Sequence, residues 1–259
     1  MPYAVAMSLG GFCQVAYQLK RSKLAWAPSP FDWLVTPFDS LENIIREGGA
    51  RFGADVSRYD NGFNRGRDAL CNSYNVMHAH DFPVNEPDEP IIDALSVAEV
   101  RGKFRHKCDQ FLRACQSPGR KLFVRLGGST HRMNAWPYME DESPTKMSSL
   151  ARLCESLAEK CGDDFDILFV TYENVTTFVA DAQIPSNVIF RNIPLATELT
   201  WEGAQETWAL LLAGLPTRYE KPAAADNQSA SALAPARATS RLLSFVKSLA
   251  GANKGSAEA

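Results

Sequence analysis

Tyr3-Ala4-Val5-Ala6-Met7-Ser8-Leu9-Gly10-Gly11-Phe12-Cys13-Gln14-Val15-Ala16-Tyr17-Gln18-Leu19 is an apolar run, a pair of glycines and then an amphipathic segment. The run from Tyr3 to Leu9 reads as a buried strand, and the spacing from about Phe12 to Arg21 as a helix. Cys13 falls in the first turn of that helix. A thiol there faces unpaired backbone N–H groups and the positive end of the helix dipole, both of which favour the thiolate. Gly10 and Gly11 let the backbone approach a ligand closely, and consecutive N–H groups at such a turn suit an oxyanion pocket. The competing reading is an ordinary core thiol, because free cysteine is among the most buried residue types and five others occur in the chain.

The pattern repeats outward from this unit. Asp39 or Ser40 is placed to cap a short helix through Arg46. Residues 47–70 are rich in Gly, Arg and Asp and read as irregular. Asn72 to His78 alternates weakly and is expected to be a strand. Ser96-Val97-Ala98-Glu99 has the form of a capping box opening a helix to about Gln116, with Val100, Phe104, Cys108, Phe111, Leu112 and Cys115 on one stripe. Lys121 to Leu126 is then an apolar strand. A helix over about Lys146 to Lys160, strands at 166–171 and 187–192, and a helix over Trp201 to Ala213 follow. Strands alternating with helices predict an α/β protein: a Rossmann-like layered fold with a mostly parallel sheet, strands at 3–9, 121–126, 166–171 and 187–192, and helices on both faces.

Composition bounds the partners. The chain has 259 residues, 45% apolar content and a formal charge of -3. That is enough apolar chain for a core, and it carries no basic footprint for nucleic acid. No run is long enough for a transmembrane helix, and the first residues lack the form of a signal peptide. The cysteines form no Cys-x-x-Cys pair. Cys108/Cys115 and Cys154/Cys161 are each seven apart, about 11 Å along a helix, too far for a disulfide within either pair. They read as small core residues in a reducing compartment, which places the protein in the cytoplasm. Residues 1–216 form the expected α/β domain. Residues 217–259 are Ala-, Ser- and Pro-rich and expected to be disordered, with a short amphipathic helix at about 240–249 suited to docking on a partner or a membrane surface.

Several residues carry candidate chemistry. His80 sits at a strand end with Asp81 beside it, and His is the side chain suited to proton transfer near neutrality. His78 and His80 have no third ligand at suggestive spacing, so neither a metal nor another cofactor is expected. His131 follows Gly127-Gly128-Ser129-Thr130 at the end of a strand, where an open α/β sheet binds ligands, and is the alternative base. Asp32 lies between Phe31 and Trp33, where an acid is costly unless paired. It suits the third member of a triad or a loop cap. Arg125 ends an apolar strand and suits a substrate carboxylate or phosphate, or an ion pair with Asp32.

Ser8-Leu9-Gly10-Gly11-Phe12-Cys13, Pro30-Phe31-Asp32-Trp33, His80-Asp81-Phe82, Lys103-Phe104-Arg105-His106 and Leu122-Phe123-Val124-Arg125 follow one another in an order that resembles a bacterial family of putative papain-like cysteine peptidases. The resemblance spans roughly residues 4–130 and is most specific in the first forty. It implies a cysteine hydrolase with Cys13 as nucleophile and His80 as base. The chain departs from the family where Gly10-Gly11-Phe12 precedes the cysteine and where Lys103 begins a segment that elsewhere carries paired arginines. A papain fold sets the cysteine helix against an antiparallel barrel-like sheet, whereas the strand pattern here predicts a parallel one. A nucleophile after the first strand of such a sheet is similar to the placement in SGNH-type esterases and acyltransferases. A nucleotide-sugar glycosyltransferase and a non-catalytic binding protein are the other readings. The substrate class, whether peptide, ester or glycan, is left open.

Overall fold

The structure is a computed structural model that describes residues 3–25, 27–59, 68–85, 89–127, 145–172, 178–194 and 202–215. In chain order its elements are β1 (Val5–Ser8), α1 (Cys13–Arg21), β2 (Leu34–Val35), α2 (Phe38–Glu47), β3 (Val56–Tyr59), β4 (Asp68–Cys71), β5 (Val76–His78), α3 (Ala94–Gln116), β6 (Lys121–Leu126), β7 (Thr145–Lys146), α4 (Met147–Cys161), β8 (Phe165–Tyr172), β9 (Phe178–Val179), β10 (Val188–Ile193) and α5 (Gln205–Ala213).

Four strands make a wholly parallel sheet in the order β1-β6-β8-β10. The two inner strands are buried on both faces, which is why Lys121 to Leu126 and Phe165 to Val170 read as nearly continuous apolar runs. Alternate residues divide between two cores. Met7, Phe123, Ile167 and Phe169 pack with residues of α2, α3 and α4, such as Leu41, Phe104 and Leu153. Ala6, Val124, Leu168 and Val170 pack with Val15 and Leu19 of α1 and Trp208 and Leu212 of α5. The protein is therefore α/β with helices on both faces of a parallel sheet, and the four predicted strands are its four strands. No helix among the described residues is long and apolar enough to cross a membrane.

A second sheet lies within the long connection from α1 to α3. It is antiparallel, in the order β2-β5-β4-β3. The irregular reading of residues 47–70 thus missed β3 and the start of β4, and the strand expected over Asn72 to His78 is mostly a turn. Asn72–Asn75 joins β4 to β5, with Asn75 in the left-handed region at φ 50° and its N–H bonded to Asn72 O at 3.3 Å. Polar residues clustered there are a turn signal, and strands of two to four residues are too short to show periodicity. Phe12, at the start of α1, packs against Val35 and Met77 of this sheet. An antiparallel sheet does lie beside the cysteine helix, in addition to the parallel one.

The helix starts also differ in detail. The capping box of α3 is Asp93 with Ser96: the Asp93 carboxylate accepts from Ser96 N at 2.7 Å, and the Ser96 hydroxyl from Asp93 N at 3.0 Å. It lies three residues before the box expected from Ser96 and Glu99. α2 begins at Phe38 behind Pro37, with no side-chain cap. The expectations for residues 217–259, the helix at 240–249 and Trp201 lie outside the described residues.

One polar cluster ties three strand starts together. The Tyr3 hydroxyl donates to Asp166 Oδ2 at 2.5 Å, and Arg120 donates to the same carboxylate at 2.8 and 2.6 Å. Burial works against the Asp166 carboxylate, but these donors hold its pKa below the usual value. Asp166→Asn should lower stability by about 2 kcal/mol at neutral pH, the scale of a lost charged hydrogen bond. A depressed carboxyl contributes above its unfolded pKa and loses that contribution as pH falls. Denaturant midpoints of the two proteins should therefore differ at pH 7 and converge as the pH falls below the usual carboxylate range, and equal midpoints at pH 7 would refute the role.

Candidate functional site

The turn from β1 into α1 brings Cys13 to the carboxyl edge of the parallel sheet. Gly10 and Gly11 both have positive φ, at 69° and 105°. A Cβ on Gly10 would stand 2.8 Å from Phe31 O, and one on Gly11 would stand 2.4 Å from Leu126 O. Only glycine permits so close a passage. The peptide groups of the turn are already engaged: Gly10 N donates to Ser8 Oγ at 2.9 Å, Gly10 O accepts from Leu126 N at 3.2 Å, and Gly11 O accepts from Thr36 N at 3.4 Å.

Arg125 locks this arrangement from below. It is 2% exposed, donates through Nη1 to Leu9 O at 3.1 Å and through Nη2 to Thr36 O at 2.9 Å, and lies 5.7 Å from the Phe38 ring centre. Its geometry fits a clamp between the end of β1 and the residue after β2. Asp32 draws on other groups.

The Cys13 thiol does not behave as its helix position predicts. Burial pushes its pKa up to about 12, and the carboxylates of Asp81, Asp32 and Asp68 add to this. Its own backbone N–H is the opposing influence. A helix end is worth at most about 2 kcal/mol, less than the cost of desolvating a thiolate that faces acids. The expected low pKa is therefore corrected: at rest Cys13 is a protonated thiol. No histidine is among the groups acting most strongly on it.

Asp32 is a buried and incompletely satisfied acid. Its Oδ2 accepts from Ser29 N at 2.9 Å, while Oδ1 is buried without a hydrogen-bond partner among the described residues. Burial raises its pKa to about 6, against the pull of Ser29 N–H, Lys107 and Ser8. Ser29 also donates from its hydroxyl to Ser8 O at 2.6 Å, joining this loop to β1. Lys107, 7% exposed on α3, donates to Asp32 O at 3.3 Å and sits 4.6 Å from the Phe104 ring centre. Burial lowers its pKa, and Asp81 and Asp32 partly restore it.

The histidine held by an acid is His78. Its Nδ1 lies 2.8 Å from Asp81 Oδ2, and Lys103 pairs with the other oxygen of the same carboxylate. Burial opposes both charges, yet the contact between them raises the pKa of His78 and lowers that of Asp81. Cys71 lies on the other side of the ring. It is a diagonal neighbour of His78 in the β4–β5 ladder, where Ala69 faces His78 directly. Burial raises the Cys71 pKa, but His78 and two backbone groups lower it overall. His78 Nε2 is buried and makes no hydrogen bond of normal geometry. Phe52, Phe82 and Phe104 surround the ring edge-on.

His80 lies beyond β5 and is half-buried. It follows Ala79, which, like Phe12, packs against Val35 and Met77. β5 ends at His78, so His80 lies beyond the strand. Asp32 and Asp81 both act on Cys13, and Asp81 is bonded to His78. His131 lies outside the described residues. Sequence reading missed Lys107 and Cys71. Lys107 does lie on the buried stripe of α3 with Phe104, Cys108 and Phe111, and a charge on an apolar stripe is the signal that marks it.

The fold and this site define an α/β protein with a thiol at the carboxyl edge of its parallel sheet, among buried acids. Over residues 4–58 the chain matches the family described as putative papain-like cysteine peptidase (DUF1796). The resemblance seen in the opening motifs is thereby supported, over a span that holds Cys13 and Asp32 and stops short of both histidines. No curated protein and no solved structure matches the chain.

A carboxyl whose pKa is raised by the fold costs stability once ionised. For Asp32 that cost is absent below the unfolded value near 4, grows towards pH 6, and is on the order of 2–3 kcal/mol above it. Asp32→Asn should therefore raise the melting temperature by roughly 5 °C at pH 7.5 and not at about pH 4. A variant that melts lower at pH 7.5 would show that the carboxylate is structural.

Proposed function

We propose that the protein is a cysteine-dependent hydrolase of the peptidase class, with Cys13 as nucleophile and His80 as general base. The observation that carries this reading is the placement of Cys13 at the carboxyl edge of the parallel sheet, beside the buried Asp32, whose Oδ1 has no hydrogen-bond partner among the described residues, and next to the Gly11–Thr36 contact, where the buried Thr36 Oγ1 has none either. Buried polar groups are normally satisfied, and clusters of exceptions mark sites built for a ligand. The family match over the cysteine segment supports the same class.

The chemistry follows from a protonated resting thiol. When a substrate displaces solvent and closes the distance, His80 removes the Cys13 proton as sulfur attacks the carbonyl carbon. The oxyanion that forms is met by backbone N–H groups at the start of α1. The imidazolium then returns the proton to the leaving group, giving a thioester. Water, deprotonated by the same base, releases the acid and restores the thiol. Asp32, ionised at a cost, repels negative charge on Cys13 until the proton is taken.

A second assignment of the nucleophile rests on its own observation. Cys71, His78 and Asp81 stand in the order thiol, imidazole, carboxylate, and the imidazole–carboxylate bond is 2.8 Å. Burial of Cys71 at 0% exposure counts against it.

Labelling distinguishes the two. With iodoacetamide and no substrate, Cys13 should react slowly at pH 7 and about tenfold faster for each added pH unit up to pH 9, as expected for a thiol with a raised pKa. A peptidyl acyloxymethyl ketone should label Cys13 at pH 7. That labelling should fall at least a hundredfold in His80→Ala and vanish in Cys13→Ala. Mapping of the adduct to Cys71 would move the nucleophile there. A fluorophosphonate adduct on a serine, or no adduct at all in a folded protein, would refute a cysteine hydrolase.

A further inference from the structure

Cys115 and Cys161 come from different cysteine pairs of the sequence, and the fold brings them together. Cys115 is in the last turn of α3 and is 1% exposed, while Cys161 is the last residue of α4 and is half-exposed. The two helices lie against the same face of the parallel sheet. Cys161 Sγ donates to Leu157 O at 3.0 Å. The strands that follow the two helices start side by side, with Lys121 opposite Phe165 and Lys121 N donating to Asp164 O at 3.0 Å, so the two helix ends meet there, and both thiols pack on one core. The interaction between the thiols is the largest influence on either group. It raises the pKa of Cys115 and lowers that of Cys161, and Lys121 favours the thiolate at both.

We propose that Cys115 and Cys161 form an oxidation site, which a diffusible peroxide converts to a disulfide joining the ends of α3 and α4. Cys161 is the thiol that reacts first, because it is the one open to solvent, whereas Cys115 is buried. Its thiolate attacks one peroxide oxygen and the O–O bond breaks. The departing hydroxide takes a proton and leaves as water, so sulfur is oxidised to the sulfenic acid and peroxide is reduced. Cys115 then attacks the Cys161 sulfur. The S–O bond breaks, the hydroxyl leaves as water with the Cys115 proton, and the S–S bond forms. Two thiols and one peroxide give one disulfide and two waters. The site lies at the amino edge of the parallel sheet, where β6 and β8 begin, and Cys13 lies at the carboxyl edge. This inference does not depend on the nucleophile assignment.

The test uses the full chain, reduced and then exposed to graded hydrogen peroxide, with free thiols blocked and peptides mapped by mass spectrometry. The Cys115–Cys161 linkage should be the first disulfide to appear, at peroxide doses that leave Cys108 and Cys154 unmodified. The oxidised protein should melt several degrees higher, and dithiothreitol should reverse this. With dimedone present, Cys115→Ser should accumulate the sulfenic adduct on Cys161, and Cys161→Ser should leave Cys115 unlabelled. A different first disulfide, no disulfide while Cys13 is oxidised, or dimedone labelling of Cys115 in place of Cys161 would each overturn the proposal. The wild-type mapping stands even if a variant fails to fold.

Discussion

The passage of Gly10 and Gly11 between Phe31 O and Leu126 O is the constraint on which the site depends. It fixes where α1 starts, and so where Cys13 stands relative to the sheet edge. A side chain at Gly11 would push the backbone away from Leu126 of β6, and one at Gly10 away from Phe31, straining the bonds from Leu126 N and Thr36 N that hold the turn. Arg125 then ties the same turn to the antiparallel sheet through two carbonyls. Two donors of this buried guanidinium are engaged by the turn and the loop after β2, so the clamp and the turn support each other. The two sheets therefore meet at the residues that precede the thiol.

The charges near the site are arranged unequally. Asp81 is fully served, with His78 on one oxygen and Lys103 on the other. Asp32 is buried with one oxygen empty, and the nearby Lys107 reaches its carbonyl oxygen in place of its carboxylate. A fold optimised for stability alone would not leave an acid in that state. Both acids act on the thiol, Asp81 more strongly than Asp32, so the carboxylate that holds a histidine and the incompletely satisfied one together disfavour the Cys13 thiolate.

Much of the fold was legible because the parallel strands are buried on both faces. Their apolar runs and the glycines after β1 are strong local signals, and the cores of α1, α3 and α4 lie on regular stripes. The antiparallel sheet was not legible. Its strands are two to four residues long, β3 is half-exposed, and its hairpin turn lies where a strand was expected. Cys13, Asp32 and the histidine segment were read from sequence, but the contacts among them were not. His78 takes Asp81, three residues on, because the chain turns at the end of β5, and no pattern of period two anticipates that bond. Cys71 approaches His78 only through cross-strand pairing, and Cys115 meets Cys161 only through helix packing. These are long-range juxtapositions, which local periodicity does not encode.

The two thiols at helix ends show which force governs reactivity here. Cys13 stands at a helix N-terminus, where the dipole favours a thiolate, and its pKa is raised. Cys161 stands at a helix C-terminus, where the dipole opposes a thiolate, and its pKa is lowered. The dipole predicts the reverse in both cases. At Cys13 burial and three carboxylates outweigh it, and at Cys161 the interaction with Cys115 and a lysine do so. The end partial charge of a helix is about half an elementary charge spread over several N–H groups, so one full charge or one close donor of opposite effect exceeds it. The carboxylates act through space on the thiolate and so outweigh the N–H of Cys13 itself, the one helix-end group that pulls its pKa down.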